Sequence, residues 1–367
     1  MNKKLLAVAV SAALVAPAAA MAGDVSVYGN AQVEVASYSE DSAGSGKDGV
    51  AIEDNARGRV GVKASEDLGG GLKAIAQFEW QVDTTDNNVG KCSTTATIDE
   101  TVTGTDVNGD GDATDTAATD PAAKVDCSSS FSLSGRVSQV GLTGGFGTVV
   151  LGNLKSPYKY TGGVKYDPFV TTSLQARSNG GMSGKKLDPT GTGALGHHSF
   201  VSNLVAYASP KGPVTASIGY GAAENDGLVV ADLKYSAGGV EAFVVYLDAG
   251  DRLVTTAAPN AEYSATKIGG QWKSGAHKVS GQYEMIDNGT DKPTVLFLGY
   301  QMKMGKNTFA AQYGQLNWDV NTIDDTTYMA LGVIHKMSKM TRVFAGYRDT
   351  SDVESVVTVG LRKDFKS

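Results

Sequence analysis

Two strictly alternating stretches lie between residues 59 and 80, and a run of three glycines joins them. Val60 and Val62 fall on one side of the first stretch, whereas Arg59 and Lys63 fall on the other. A two-residue period is typical of β-strands that have one apolar and one polar face. Repeated around a closed sheet in lipid, such strands form a wall with an apolar outside and a polar interior.

The first 22 residues have the features of a secretory signal peptide. Lys3 and Lys4 provide a positive start, Leu5–Val15 an apolar run, and Ala20–Ala22 a small-residue cleavage site. The apolar run is too short to cross a bilayer as a helix. We therefore expect residues 1–22 to be removed and residues 23–367 to form one β-barrel domain outside the cytoplasm.

The remainder of the chain repeats the alternating pattern between turns of two kinds. The 46 glycines, 15 tyrosines and only 9 prolines favour one large β structure. Seven short turns alternate with eight longer loops, which predicts sixteen antiparallel strands with both chain ends on the short-turn side. A soluble β-sandwich also alternates, but its turns and long loops would not segregate so regularly. The short turns are expected at 66–71, 143–147, 209–213, 237–239, 274–277, 304–306 and 337–339, and the longer loops at 39–54, 84–130, 155–197, 222–227, 249–263, 287–292, 318–325 and 350–354.

An acidic insert occupies residues 84–130 and carries nine carboxylates against two lysines. Because most of the negative charge of the chain is concentrated there, the rest is close to neutral. The sequence therefore predicts no basic surface for nucleic acid. Cys92 and Cys127 bracket most of the insert, and in an exported chain such a pair is most simply a disulfide.

A short stretch of this insert spaces oxygen ligands as a calcium loop does. Its first, third and fifth positions are acidic or amide residues, and a glycine follows at the sixth. The twelfth position is Ala117, where a complete loop would carry a bidentate glutamate, so the motif is incomplete. The alternatives are a structural Ca²⁺ site and a solvated acidic loop tip, and no other cofactor is expected. The candidate ligands are Asp106, Asn108, Asp110, Asp112 and, as a substitute, Asp115.

Three stretches resemble a known family. They are Val-Gly-Val-Lys-Ala-Ser-Glu-Asp-Leu-Gly within Arg59–Lys73, Val140–Gly152 and the opening Val25–Gly29. All three are similar to Gram-negative general diffusion porins. The resemblance implies an all-β, sixteen-stranded antiparallel transmembrane barrel, a homotrimer in the outer membrane, and a third long loop that folds into the lumen. One departure is that Phe365, the expected terminal aromatic residue, is followed by Lys366 and Ser367.

A passive pore needs a constriction whose size and charge select among solutes. The third long loop, residues 155–197, is long enough to fold inward and supplies Lys165 and Asp167 as candidates. Strand parity and the resemblance together place basic residues on the opposite, polar wall. A basic row that faces a loop carrying acids would create a transverse electric field. The wall candidates are Arg57, Arg59, Lys63, Lys73 and Arg136.

The sequence therefore predicts a porin that lets small hydrophilic solutes and ions diffuse passively across the outer membrane. The constriction candidates contain six basic residues and one acidic residue, which favours a mild preference for anions. Two alternatives stay open. One is a substrate-preferring, anion-leaning channel on the same barrel, and the other is a surface or adhesion barrel that does not conduct. No Gly-x-Ser-x-Gly nucleophile motif is present, so an enzyme is not expected, although dispersed catalytic residues stay an alternative.

Overall fold

The computed structural model of the protein describes residues 23–39, 48–85, 134–184, 187, 200–221, 227–250, 262–289, 291–319, 323–351 and 353–367. These residues form one antiparallel sheet that closes into a barrel. The strands are β1 (Asp24–Tyr38), β2 (Gly49–Glu53), β3 (Arg59–Gly69), β4 (Leu72–Gln81), β5 (Ser134–Gly144), β6 (Gly147–Lys155), β7 (Phe200–Ala208), β8 (Val214–Gly221), β9 (Val229–Ala237), β10 (Val240–Asp248), β11 (Ser264–Ser274), β12 (His277–Asp287), β13 (Thr294–Met304), β14 (Asn307–Asn317), β15 (Thr326–Lys336), β16 (Thr341–Thr350) and β17 (Glu354–Lys366).

The barrel has sixteen strand positions, as the turn pattern predicts. β2 and β3 share one position, because β2 pairs with the second half of β1 and β3 with its first half. The chain between them, around residues 54–58, interrupts the strand. β2 itself corrects the sequence prediction, which treated residues 39–54 as loop throughout. All seven short turns join consecutive strands at the expected places.

The two faces of the sheet differ sharply in polarity. On β17, Val357 and Val359 are 59% and 57% exposed, whereas Thr358 between them is 2% exposed. On β12, Tyr283 and Met285 are exposed while the intervening Glu284 is buried. Apolar side chains therefore cover the outer face, and polar side chains line the inside of the barrel. An apolar outer face and a polar interior are typical of barrels that span a lipid bilayer. Closure of the sheet also suits lipid, because every backbone group of the sheet can then pair internally.

The first and last strands close the barrel. β1 pairs with β17 from Tyr28 opposite Lys366 to Tyr38 opposite Val356. The side chain of Phe365 lies over Gly29, where a Cβ atom would overlap its ring. Ser367 continues the pairing, since its backbone N–H donates to the Val27 carbonyl at 2.9 Å. The two residues after Phe365 thus belong to the closing strand pair.

The connection after β6 contains the only described helix. It begins with α1 (Pro157–Tyr160), which Ser156 caps by accepting from the Tyr158 N–H at 3.2 Å, and continues with a 3₁₀ turn, Gly163–Lys165. The segment 156–184 comprises Ser156, these two elements and the chain that follows them as far as residue 184. Within the described residues, no helix is long and apolar enough to cross a bilayer.

Several sequence predictions concern residues outside those described. They are the signal peptide (1–22), the Cys92–Cys127 disulfide, and the calcium ligands Asp106, Asn108, Asp110, Asp112 and Asp115.

Candidate functional site

The segment 156–184 is attached to carboxylates on the polar face of the barrel wall. Glu34 of β1 accepts a hydrogen bond from the Ser173 backbone N–H at 3.1 Å. Glu241 of β10 accepts from the Lys165 ammonium at 2.6 Å and from the Tyr166 hydroxyl at 3.0 Å. Because β1 and β10 are far apart in strand order, these bonds hold the segment to two different parts of the wall.

A third attachment lies on β11 and β12. Glu284 accepts from the Tyr158 hydroxyl at 3.1 Å and from the Ser183 backbone N–H at 3.2 Å. The fully buried Lys267 ammonium donates to the Tyr158 carbonyl and lies 4.7 Å from the centre of the Tyr158 ring. Charge-assisted hydrogen bonds are about twice as strong as neutral ones, so these contacts fix the start and the end of the segment.

Wall glycines make room for the segment on β14 and β16. A Cβ atom at Gly314 would overlap the backbone of Gly181, and one at Gly346 would meet a Leu174 methyl group at 2.5 Å. Any side chain at these two positions would therefore push the segment away from the wall. The close approach buries Leu174 completely.

Asp167 is buried within the segment. Its Oδ1 accepts from the Phe169 backbone N–H and from the Gln312 side chain, both at 2.8 Å, and its Oδ2 accepts from the Ala176 N–H at 2.9 Å. Burial raises the pKa of this carboxyl group, and these hydrogen bonds oppose the increase. The sequence predicts that Asp167 faces the basic wall, and Asp167 lines a cavity together with Arg57, Arg342 and Arg362. Its carboxylate also shapes the segment itself through these hydrogen bonds.

Arg59 and Arg136 meet on one buried wall carboxylate. The Arg136 Nε lies 2.9 Å from Glu79 Oε1, and the Arg59 Nη1 lies 3.5 Å from the same atom. The Tyr28 hydroxyl donates to Glu79 Oε2 at 2.9 Å, and its ring lies over Gly61, where no Cβ atom stands in the way. Two predicted basic residues are thus brought together, and their acidic partner comes from the wall rather than from the segment.

Further cations and two aromatic rings lie beside this pair. The Lys159 ammonium is 5.4 Å from the Tyr160 ring centre and 4.9 Å from that of Phe200. Burial, followed by the nearby charges of Arg177 and Arg136, lowers the pKa of Lys159 to about 6. The aromatic rings favour the charged ammonium by only about 0.5–2 kcal/mol, so desolvation and repulsion prevail.

A second basic group forms where β16, β17 and β1 meet. Asp364 accepts from Arg342 at 2.8 Å and from the Arg362 Nε at 2.7 Å. Arg57 lies in the interruption between β2 and β3, and its Nη1 donates to the Thr171 hydroxyl at 3.3 Å. The segment 156–184 therefore has basic side chains on both its β3–β5 side and its β16–β17 side.

Comparison with known proteins identifies the family. The family model described as Gram-negative porin matches residues 7–355. The chain belongs to this family. The porin is 26% identical over 365 residues to outer membrane porin protein 32 of Delftia acidovorans. The aligned region covers 94% of this chain and 88% of that protein. It is also 29% identical over 233 residues to the major outer membrane protein P.IB of Neisseria gonorrhoeae, covering 62% of this chain and 50% of that protein.

Solved structures support the same fold. The anion-selective porin from Comamonas acidovorans aligns with a TM-score of 0.67 at 20% identity, over 94% of this porin and 100% of that chain. The trimer form of OmpT from Vibrio cholerae aligns with a TM-score of 0.64 at 15% identity, over 94% and 100% of the two chains. As a Gram-negative porin, the protein is a β-barrel channel of the outer membrane for the passive diffusion of small hydrophilic solutes.

The other sequence-predicted residues of the porin lie in different surroundings. Lys63 is exposed on β3, with its ammonium 5.0 Å from the Tyr28 ring centre. Lys165 is held by Glu241, as described above. Lys73 lies near the short turn after β3, where both it and its partner Asp67, 3.7 Å away, are about half exposed. The structure does not bring Lys73 to either basic group.

Sequence reasoning missed four residues of these groups: Glu79, Arg342, Arg362 and Asp364. The alternating pattern of the last strand puts Arg362 on the polar face, but it does not indicate that Arg362 and Arg57 lie beside each other. The register of β17 places Arg362 directly opposite Arg342 and Gln32, and the interruption between β2 and β3 brings Arg57 to the same cavity.

Proposed function

We propose that this porin passes small hydrophilic solutes and prefers anions, and that the segment 156–184 forms the constriction. The observation that carries this proposal is the surplus of cations beside the segment. Arg59, Arg136, Lys155 and Arg177 all lie close enough to influence Lys159, and Glu79 is the described carboxylate paired with the first two. Fixed positive charge at a narrow passage lowers the free energy of a passing anion and raises that of a cation.

The similarity to an anion-selective porin supports the same direction of selectivity. Asp167 offsets part of the charge of Arg177, and Glu79 is shared by Arg59 and Arg136, so the cations stay in excess. The field that sorts solutes would therefore come from cations of the wall and the segment together. We propose no catalytic step, since diffusion through such a field needs only fixed charges and a water-filled path.

Reversal potentials of the purified porin in a planar bilayer test this proposal. Under a KCl gradient, the sign of the potential reports whether chloride or potassium is more permeant. We expect a potential that corresponds to chloride preference. A potential that favours potassium would contradict the anion preference, and folded protein without conductance would support the surface-barrel alternative.

We also propose that the porin assembles as a homotrimer surrounded by outer-membrane lipid. One structural relative was solved in a trimer form, and the outer face of this barrel exposes large apolar side chains on most strands. Chemical cross-linking in detergent, followed by denaturing electrophoresis, should yield a species of three chains. Monomers at all cross-linker concentrations would contradict the trimer.

For the acidic insert we propose a Cys92–Cys127 disulfide and a structural Ca²⁺ site. Asp106, Asn108, Asp110, Asp112 and Asp115 would supply the oxygen ligands. Protease sensitivity of the insert with Ca²⁺ and with a chelator tests the site. Identical cleavage rates under the two conditions would favour a solvated loop tip.

A further inference from the structure

A cavity of about 280 Å³ lies between the segment 156–184 and the wall at β15–β17 and β1. Its volume is near the lower limit of small-molecule sites, which span about 300–1,000 Å³. Arg57, Arg342 and Arg362 line the cavity on one side, next to the Glu79 group, whose Arg59 donates to the Arg57 carbonyl at 3.1 Å. On the other side lie apolar residues of the wall and the segment.

Strand register produces these two sides. Gln32, Arg362 and Arg342 are direct cross-strand partners on β1, β17 and β16, so their side chains form one row on the polar face. Two residues further along the strands, a second row runs through Glu34, Gly360, Phe344 and Ile334, of which the apolar Phe344 and Ile334 line the cavity. A row of guanidinium groups therefore lies beside these two apolar side chains at a fixed distance.

The apolar side of the cavity is formed by packed side chains, among which Phe344 is only 4% exposed. Gly360 carries no Cβ atom, and the Phe344 ring lies over it. Ile334 is half-buried and packs against the core that contains Phe169. Val170 of the segment, also half-buried, completes this side of the cavity. An apolar group in the cavity would thus contact both the wall and the segment.

The basic side retains unsatisfied positive charge. Arg342 and Arg362 share the single carboxylate of Asp364. Among the described residues, no carboxylate lies within salt-bridge distance of Arg57, and its buried Nε has no hydrogen-bond partner. Asp167 lines the same cavity, and together with Asp364 it offsets two of the three guanidinium charges, which leaves one positive charge in excess. The cavity therefore favours an anion.

We propose that this cavity binds monocarboxylates with short apolar tails, the carboxylate lying near Arg57, Arg342 and Arg362 and the tail near Val170, Ile334 and Phe344. The proposal rests on the proposed anion-preferring channel, to which it adds a class of solute. A small inorganic anion would use only the basic side, whereas a fatty carboxylate uses both.

A chain-length series of blockers tests the proposal on the intact porin. Acetate, butyrate and hexanoate are added to one side of a planar bilayer, and the concentration that half-blocks the chloride current is measured. Each methylene that leaves water for the cavity should lower this concentration about fourfold. Hexylammonium has an alkyl tail one carbon longer than that of hexanoate and a positive charge, and we expect it to give no saturable block. Equal half-blocking concentrations along the series, or equal block by hexylammonium, would overturn the proposal.

A double variant locates the effect in this cavity. Val170→Thr with Ile334→Thr replaces a methyl and an ethyl group by hydroxyls and so makes the apolar side polar. The dependence on chain length should then fall to about twofold or less per methylene. Leu331→Thr is the matched control, because it lies on β15 too but is 59% exposed on the outer face. It should retain the wild-type series, and a double variant that also retains it refutes the assignment. If the double variant does not insert, the wild-type series with hexylammonium decides.

Reversal potentials measured in the same bilayers separate this proposal from the proposed function. Chloride preference without any chain-length effect would refute binding in this cavity and support the anion-preferring channel. Potassium preference would refute the proposed anion preference itself.

Discussion

Replacement of Glu79 by glutamine removes the carboxylate that Arg59 and Arg136 share while retaining the size of the side chain. Glu79 is 2% exposed, with the two guanidinium groups at 3.5 and 2.9 Å. The substitution therefore adds one net positive charge to the basic group beside the segment. It also leaves two partly buried cations without their acidic partner, which destabilises the folded barrel.

The expected change in selectivity follows from Coulomb's law. One unit charge about 5 Å from a passing ion in water contributes about 0.8 kcal/mol, which screening at about 0.1 M salt reduces to about 0.5 kcal/mol. An anion gains this amount and a cation loses it, so the difference between them changes by about 1 kcal/mol. The chloride-to-potassium permeability ratio should therefore rise about fivefold.

The assay is the reversal potential of Glu79→Gln under a KCl gradient with about 0.1 M salt on the dilute side. Asp67→Asn is the matched control, because it removes the same charge from the adjoining strand β3. Asp67 is about half exposed near the short turn and pairs only with Lys73 among the described residues. A Glu79→Gln channel with wild-type or lower chloride preference would refute the reasoning. An equal shift in Asp67→Asn would show that net charge matters and position does not.

Three further predictions concern the segment 156–184 and the acidic insert. Because burial and neighbouring cations lower the pKa of Lys159 to about 6, this side chain becomes charged only as the pH falls through that value. Chloride preference should accordingly rise more in the wild type than in Lys159→Met between about pH 8 and pH 5. Gly314→Ala places a methyl group against the segment, which should lower the single-channel conductance and cost about 1–3 kcal/mol of stability. The Cys92–Cys127 disulfide should make the unreduced chain migrate faster in denaturing electrophoresis than the reduced chain.

Each of these has a control. Identical pH dependence in Lys159→Met and the wild type would contradict the role of that lysine. For Gly314→Ala the control is Gly135→Ala, since a Cβ atom at Gly135 would meet nothing within 4 Å. Unchanged conductance in Gly314→Ala would show that the segment does not depend on this contact. For the cysteines, two free thiols in an alkylation assay of the unreduced protein would exclude the disulfide.

The sequence by itself determined the strand count, the position of the short turns and the identity of the polar face. These features follow from local rules, because a two-residue period fixes which side chains share a face and glycine-rich turns fix where strands end. Arg59 and Arg136 were found in this way. The extra strand Gly49–Glu53 was missed because its pairing depends on β1, not on its own pattern.

The tertiary structure decided which charges meet. Strand parity puts Arg59, Lys63 and Lys73 on one face. Only the height of each residue along the barrel separates the partly buried Arg59 from Lys73 near the turn. The burial of Asp167 likewise depends on Gln312, which is 145 residues away in the chain. Contacts of this range arise when the barrel closes and the segment packs against several strands at once. Local sequence periodicity contains no information about that closure, because it repeats identically on every strand.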